Sequence, residues 1–264
     1  MAEFTRLEDV RRRRPLIHCV SNIVSANDCA NLVLAVGASP MMAQAPEEME
    51  DITAISAATV LNTGTPDGEK FRVCRLCGQS AQALGRPGVL DPVGVGASPW
   101  RLSQTEALLS AIRPTLLRVN LGEAKALLHQ AGEEQGVDSP APASLAQRRE
   151  AALRLAQARQ TAVLLSGSED VVTDGARIWC VSGGSRRMAQ VTGTGCMLSA
   201  LCGVFAAVEP DAAHAAVLAA AFWKVCSRRA ETSEGSGSFR VALMDAASLL
   251  TAADFAAQAQ IELL

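Results

Sequence analysis

Gln190-Val191-Thr192-Gly193-Thr194-Gly195-Cys196-Met197-Leu198-Ser199-Ala200 is the stretch that decides how the chain is read. Two glycines flank a threonine, a cysteine follows, and an apolar run from Met197 to Val208 is broken only by Ser199 and Gly203. The pattern predicts a glycine turn that opens a buried helix. Such a start leaves the first N–H groups of the helix without internal partners, at the positive end of its dipole. That arrangement holds phosphate well, and glycine lets the backbone approach an anion closely. Taken alone, the stretch fits an ordinary core helix better than a phosphate seat, so its neighbours must decide.

Outward from it, short apolar strands alternate with helices. Leu16-Ile17-His18-Cys19-Val20 reads as a strand ending in Ser21-Asn22, and Asn27 to Val36 as a helix closed by Gly37. Ala58-Thr59-Val60-Leu61 ends in Asn62, Gly88-Val89-Leu90 in Asp91, Leu116-Leu117-Arg118-Val119 in Asn120, and Ala162-Val163-Leu164-Leu165 in Ser166. Helices are expected between them, at Lys70 to Leu84, Ser103 to Ile112, Glu123 to Gln130 and Leu145 to Arg159, and then at 211–230 and 238–252. Ala38 to Ala43 is ambiguous, and residues 131–143 form the most loop-like segment. Val171 to Val181 reads as a hairpin turning at Asp174-Gly175. Repeated strand–helix units predict an α/β fold: a mostly parallel sheet with helices on both faces, expected as a single domain over 1–264.

In such sheets ligands bind beyond the carboxyl ends of the strands. Asn22, Asn62, Asp91, Asn120 and Ser166 all fall there, and random turn chemistry would include more Lys and Glu. Asp91 and Glu123 are the carboxylates nearest this rim, and hard oxygen ligands with substrate phosphate suit magnesium. Glu123 also fits plain dipole pairing in the first turn of its helix. Arg118, at a strand end, is costly unless it faces a wet site, where it would grip phosphate in bidentate fashion. An anion cradle, a metal site and a cation together describe phosphoryl transfer.

Other chemistries fit less well. The chain has no GxxxxGK[ST], no kinase HRD or DFG, and no GxSxG; Gly94-Val95-Gly96 lacks the third glycine of a dinucleotide fingerprint. His18 reads as a hydrogen-bonded core or rim residue. Cys74-Arg75-Leu76-Cys77 is the one CxxC, lies in a helical pattern, and reads as neither zinc nor redox site. The 264 residues include eight cysteines at irregular spacings, no tyrosine and a net charge of −3. These point to an aliphatic core, no disulfide framework and no field for nucleic acid, with Arg11 to Arg14 as a solvated helix end. No apolar run reaches the roughly 20 residues of a membrane span, and the N-terminus lacks a signal-like apolar segment. A cytoplasmic protein is the expectation.

The motifs resemble those of hydroxyethylthiazole kinase of thiamine biosynthesis along nearly the whole chain. The matches include Pro15-Leu16-Ile17-His18 with Asn22, Gly37 to Ala43, Leu61-Asn62-Thr63-Gly64-Thr65, Leu90-Asp91-Pro92-Val93-Gly94, Asn120-Leu121-Gly122-Glu123, Gly193-Thr194-Gly195-Cys196 and Gly237-Ser238-Phe239-Arg240-Val241. GTGC in place of GxGD is the most particular of them. The resemblance implies a ribokinase-like three-layer α/β/α sandwich, a homotrimer with thiazole sites at subunit contacts, and ATP- and magnesium-dependent phosphorylation of the thiazole alcohol. It implies that Met42, Gly193 and Asn22 meet the thiazole, and that Arg118, Ser166, Asn120 and Thr194 meet ATP. Asp91 and Glu123 would organise magnesium, and Cys196 stands where relatives place the catalytic Asp. Ser166 replaces a common Thr and keeps its hydroxyl, while Val119 replaces a smaller residue beside Arg118. A free thiol is mostly protonated at neutral pH, but phosphoryl transfer rests mainly on positioning. Cys196 is therefore expected to orient the hydroxyl and accept its proton late. Kinases for other small alcohols, a hydro-lyase of the same fold and a non-catalytic nucleotide-binding module are the competing readings; the hydro-lyases carry GTGD.

Overall fold

The computed structural model describes residues 3–129, 143–232 and 234–264. Its strands are β1 (Leu16–Val20), β2 (Ser39–Met41), β3 (Ala58–Asn62), β4 (Gly88–Asp91), β5 (Leu116–Asn120), β6 (Ala162–Ser166), β7 (Asp170–Thr173), β8 (Ile178–Ser182) and β9 (Gln260–Leu263). Its helices are α1 (Arg6–Arg13), α2 (Ala26–Val36), α3 (Met49–Ile55), α4 (Gly68–Ala83), α5 (Pro99–Ala111), α6 (Leu121–Leu127), α7 (Leu145–Arg159), α8 (Thr194–Ala206), α9 (Ala212–Arg229), α10 (Ser236–Leu249) and α11 (Ala252–Gln258). The loop expected at 131–143 lies, except for residue 143, outside the described residues.

One sheet runs in the order β2-β1-β3-β4-β5-β6-β7-β8-β9. Pairing is parallel from β2 to β6 and antiparallel from β6 to β9. The inner parallel strands, β1 and β3 to β6, are buried on both faces, which is why they read as mainly apolar runs. Alternate side chains separate into two cores. Ile17, Val60, Leu116 and Leu164 pack with α1, α2, α8, α9 and α10, whereas Val20, Leu61, Leu117 and Val163 pack with α4, α5, α6 and α7. The result is three layers, helices over both faces of the sheet. The cores are mainly aliphatic, apart from an aromatic knot in which Phe222 stacks edge-on against Phe205 and Phe255 at 5.8 and 5.5 Å.

The hairpin β7–β8 turns at Asp174-Gly175, but Thr173 pairs with Ile178, so its loop is longer than a two-residue turn. Asp174 Oδ1 holds that loop by accepting the N–H of Ala176 and Arg177 at 2.9 and 2.7 Å. The ambiguous stretch after Gly37 becomes β2, and the tail supplies β9 along β8.

α8 crosses the first core directly over β1 and β3. Gly203 makes this possible: a Cβ there would lie 2.4 Å from Val60 Cγ2. The other break in the apolar run, Ser199, faces β4. Gly203 seats the later turns of α8 on the middle of the sheet, and Ser199 ties its earlier part to the carboxyl end of β4 through Asp91.

Candidate active site

Register assembles the rim. Asn62 pairs with Asp91 across β3–β4, and Asn120 with Ser166 across β5–β6. Asn22 follows β1 and completes the row. Its Oδ1 accepts the N–H of Val24 and Ser25 at 3.0 and 3.1 Å, which fixes the side chain at the entry to α2. The Asn22 amide then donates to Asn62 Oδ1 at 2.9 Å and towards Cys196 Sγ at 3.3 Å. Asn62 Nδ2 donates onward to Asp91 Oδ2 at 2.8 Å. A continuous polar chain therefore runs from the thiol at the start of α8 to the carboxylate at the end of β4.

Asp91 is fully buried. Ser199 donates a second hydrogen bond to its Oδ2 at 2.7 Å, while Oδ1 has no hydrogen-bond partner and faces Arg118 Nη1 at 3.5 Å. Burial pushes the Asp91 carboxyl up to about 6, with Arg118 pulling it down and Glu123 adding to the rise. A buried carboxylate with one free oxygen, beside a second carboxylate, suits a hard divalent cation that keeps water and phosphate as its remaining ligands. Glu123 is held by a capping box: its Oε2 accepts the Asn120 N–H at 2.8 Å, and Asn120 Oδ1 accepts the Glu123 N–H at 2.8 Å. Its Oε1 accepts the Gly94 N–H at 2.9 Å. The sequence predicts only dipole pairing in the first turn; the structure adds this capping box, and each oxygen keeps a lone pair for a further ligand.

Arg118 leaves β5 and lies under the glycine turn. Its Nη2 donates to Ser166 Oγ at 2.6 Å. Gly195 allows the close approach, since a Cβ there would meet the guanidinium at 2.8 Å. Gly193, at φ +83°, caps α8 in the left-handed region that glycine favours. Thr194 is fixed twice: its hydroxyl donates to Met188 O, and its carbonyl accepts from Trp223 Nε1, both at 3.1 Å. Arg118, Ser166, Thr194, Gly195, Trp223 and Lys224 line a cavity of about 820 Å³. That size is ordinary for a cofactor-sized ligand. Its far wall is the turn after β6, where Lys224 Nζ donates to Gly167 O and Ser168 O at 3.2 and 3.0 Å and lies 3.4 Å from Asp170 Oδ2.

Eight free cysteines are present, and Cys196 alone is not buried. Burial pushes Cys74 up to about 12 and Cys77 up to about 11, as expected of inert core thiols. His18 is buried; its Nε2 bonds Ala43 O at 3.1 Å, which agrees with a hydrogen-bonded core residue. Met42 leaves β2 half-buried against the core, one residue before that anchored carbonyl. The site thus joins Asn22, Asn62, Asp91, Arg118, Ser166, Gly195 and Cys196 through direct contacts. Met42 and Asn120 stand at its two margins. Ser199, Lys224 and Trp223 escaped sequence reasoning. Only Ser199 left a trace there, as a polar break in an apolar helix.

Residues 7–253 match the Hydroxyethylthiazole kinase family. A hydroxyethylthiazole kinase from Listeria monocytogenes serotype 4a (strain HCC23) is 42% identical over 265 residues, covering 99% of this chain and 98% of that protein. The hydroxyethylthiazole kinase of Methanosphaerula palustris is 39% identical, covering 98% of this chain and 97% of that protein. The solved structure of hydroxyethylthiazole kinase from Pyrococcus horikoshii OT3 superposes with a TM-score of 0.89 at 35% identity, over 99% of this chain and 98% of that one. A pyridoxal kinase from Staphylococcus aureus, solved with AMP-PCP and pyridoxal, reaches a TM-score of 0.67 at 14% identity over 94% of this chain and 98% of that one, and shares the fold alone.

Proposed function

The chain belongs to the hydroxyethylthiazole kinase family, and from that premise we propose how its residues divide the work of phosphorylating 4-methyl-5-(2-hydroxyethyl)thiazole. The fold is ribokinase-like, and the reaction transfers the terminal phosphoryl group of ATP to the thiazole alcohol in thiamine biosynthesis. The observation that carries the assignment of roles is the polar chain Cys196–Asn22–Asn62–Asp91, which ends beside Arg118 and the 820 Å³ cavity.

ATP lies in that cavity with its phosphates at the start of α8. The Thr194 and Gly195 backbone, Arg118 and Ser166 bind them, and Asn120 borders the same end. Asp91 and Glu123 would hold magnesium, which neutralises charge on the phosphate oxygens when bound. The thiazole lies on the other side of α8, against Met42, the Gly193 backbone and Asn22. Cys196 stands between the two, orients the hydroxyl, and takes its proton as the bond to phosphorus forms. Asn22 fixes the thiol through the 3.3 Å contact and is itself fixed by Asn62. Arg118 offsets the charge that gathers as the phosphoryl group moves.

The enzyme works as a single domain over 1–264 and as a homotrimer in the cytoplasm. Ile23 and Val24, 84% and 58% exposed immediately after Asn22, support the trimer: they give the acceptor side an apolar face for a second subunit. Eight free cysteines without a disulfide fit a reducing compartment.

ADP release measured with the thiazole, with pyridoxal, with hydroxymethylpyrimidine and with no alcohol tests this reading. Thiazole-dependent turnover well above the other three is expected; equal turnover with another alcohol, or none with the thiazole, overturns it.

A further inference from the structure

Lys70 occupies the first turn of α4, where a lysine normally extends into water. Here it is 9% exposed and turns back beneath the rim. Its Nζ donates to Ser21 O at 2.6 Å and to Gln44 Oε1 at 2.5 Å. No carboxylate of the described residues lies within ion-pair distance of it, in contrast to Lys224 beside Asp170. A buried ammonium held only by neutral acceptors is costly, and burial lowers the pKa of Lys70 accordingly. The positive end of the α4 dipole adds to that cost, and the Asp67 carboxylate that caps the helix offsets only part of it.

Both acceptors lie next to residues assigned to the alcohol. Ser21 precedes Asn22, whose amide reaches Cys196. Gln44 follows Ala43, whose carbonyl is anchored by His18, and Ala43 follows Met42. One ammonium therefore spans two loops that have no other hydrogen bond to each other among the described residues. We propose that Lys70 is a positioning residue for the acceptor alcohol, tying the loop after β1 to the segment after β2 and so fixing the span between Cys196 and Met42. This rests on the thiazole lying between those residues. Lys70 Nζ is taken up by Ser21 and Gln44 and the residue does not line the 820 Å³ cavity, so its effect should be confined to the geometry of the acceptor alcohol.

The test uses the full chain with Lys70→Met, Gln44→Ala and the double variant. Lys70→Met should raise the thiazole KM roughly tenfold and leave the ATP KM within about twofold. Amide hydrogen exchange should quicken over 20–24 and 41–46 while α8 keeps its protection. Gln44→Ala should give a smaller shift of the same kind, and the double variant should not exceed Lys70→Met, because both act through one contact. Equal rises in both KM values, additive effects, or unchanged exchange in both loops would overturn the proposal. If Lys70→Met fails to fold, Gln44→Ala decides by the same two readouts. If the unmodified chain does not phosphorylate the thiazole, the functional reading fails, and exchange alone decides the role of Lys70.

Discussion

Asn62 donates its amide to Asp91 Oδ2 at 2.8 Å and accepts from Asn22 through Oδ1 at 2.9 Å, so one buried side chain links the Asp91 carboxylate to the Asn22 amide. Gly64 N also donates to that Oδ1 at 2.9 Å, which leaves the orientation of the Asn62 amide no choice. Asn62→Leu should lower stability by about 1–3 kcal/mol, the cost of leaving buried polar partners unpaired. It should also reduce kcat more than either KM, because Asn22 and Asp91 lose their common anchor. Urea denaturation and steady-state kinetics read the two effects separately.

Cys196 is the thiol that faces the site. Cys196→Ala should lower kcat by roughly 10²-fold without abolishing it, since positioning and charge stabilisation remain. Cys196→Asp should stay active, because a carboxylate in the same turn accepts the Asn22 amide and the alcohol proton alike. An inactive Asp variant with an intact circular dichroism spectrum would show that the thiol does something a carboxylate cannot.

Arg118 touches Ser166 and faces Asp91 beside the cavity at the start of α8, where the proposed function puts the nucleotide. Arg118→Ala should raise the ATP KM by at least about tenfold and the thiazole KM by far less. The reverse ratio would move Arg118 to the acceptor. Arg118→Lys should recover only part of the loss, because an ammonium does not reproduce the fork that reaches Ser166 and Asp91 together.

Gly203 lets α8 rest on Val60, with no room for one more carbon. Gly203→Ala should cost about 1–3 kcal/mol by overpacking, against the gain in helix propensity that alanine normally brings. Thermal denaturation gives the sign: a raised Tm would mean that the helix can lift without penalty.

Much of the fold was legible because a parallel strand buried on both faces is an apolar run with a polar full stop. Val20, Leu61, Leu90, Val119 and Leu165 each precede a rim residue or its neighbour, and the topology places those ends together. α8 was legible from Gly193 and Gly195. β2 and β9 were not. β2 is three residues with Pro40 at its centre, and β9 is a four-residue edge strand with a mostly exposed face. Edge strands carry little burial pattern to read. The site residues that pattern missed are missed for a related reason. Lys70 and Lys224 sit on helices, where lysine usually marks a solvated face, and only the tertiary fold shows that these two turn inward.

Gly195, under which Arg118 lies, and Cys196, to which Asn22 donates, are consecutive residues of one helix. Under the proposed division of roles, donor and acceptor would thus be referred to a single rigid frame, with no hinge between them to adjust the gap. Such a frame would act as a ruler for the alcohol arm. An analogue whose arm is one methylene longer should bring its oxygen about an ångström off line, a displacement expected to cost on the order of 10²-fold in rate, even where the ring binds as well as before.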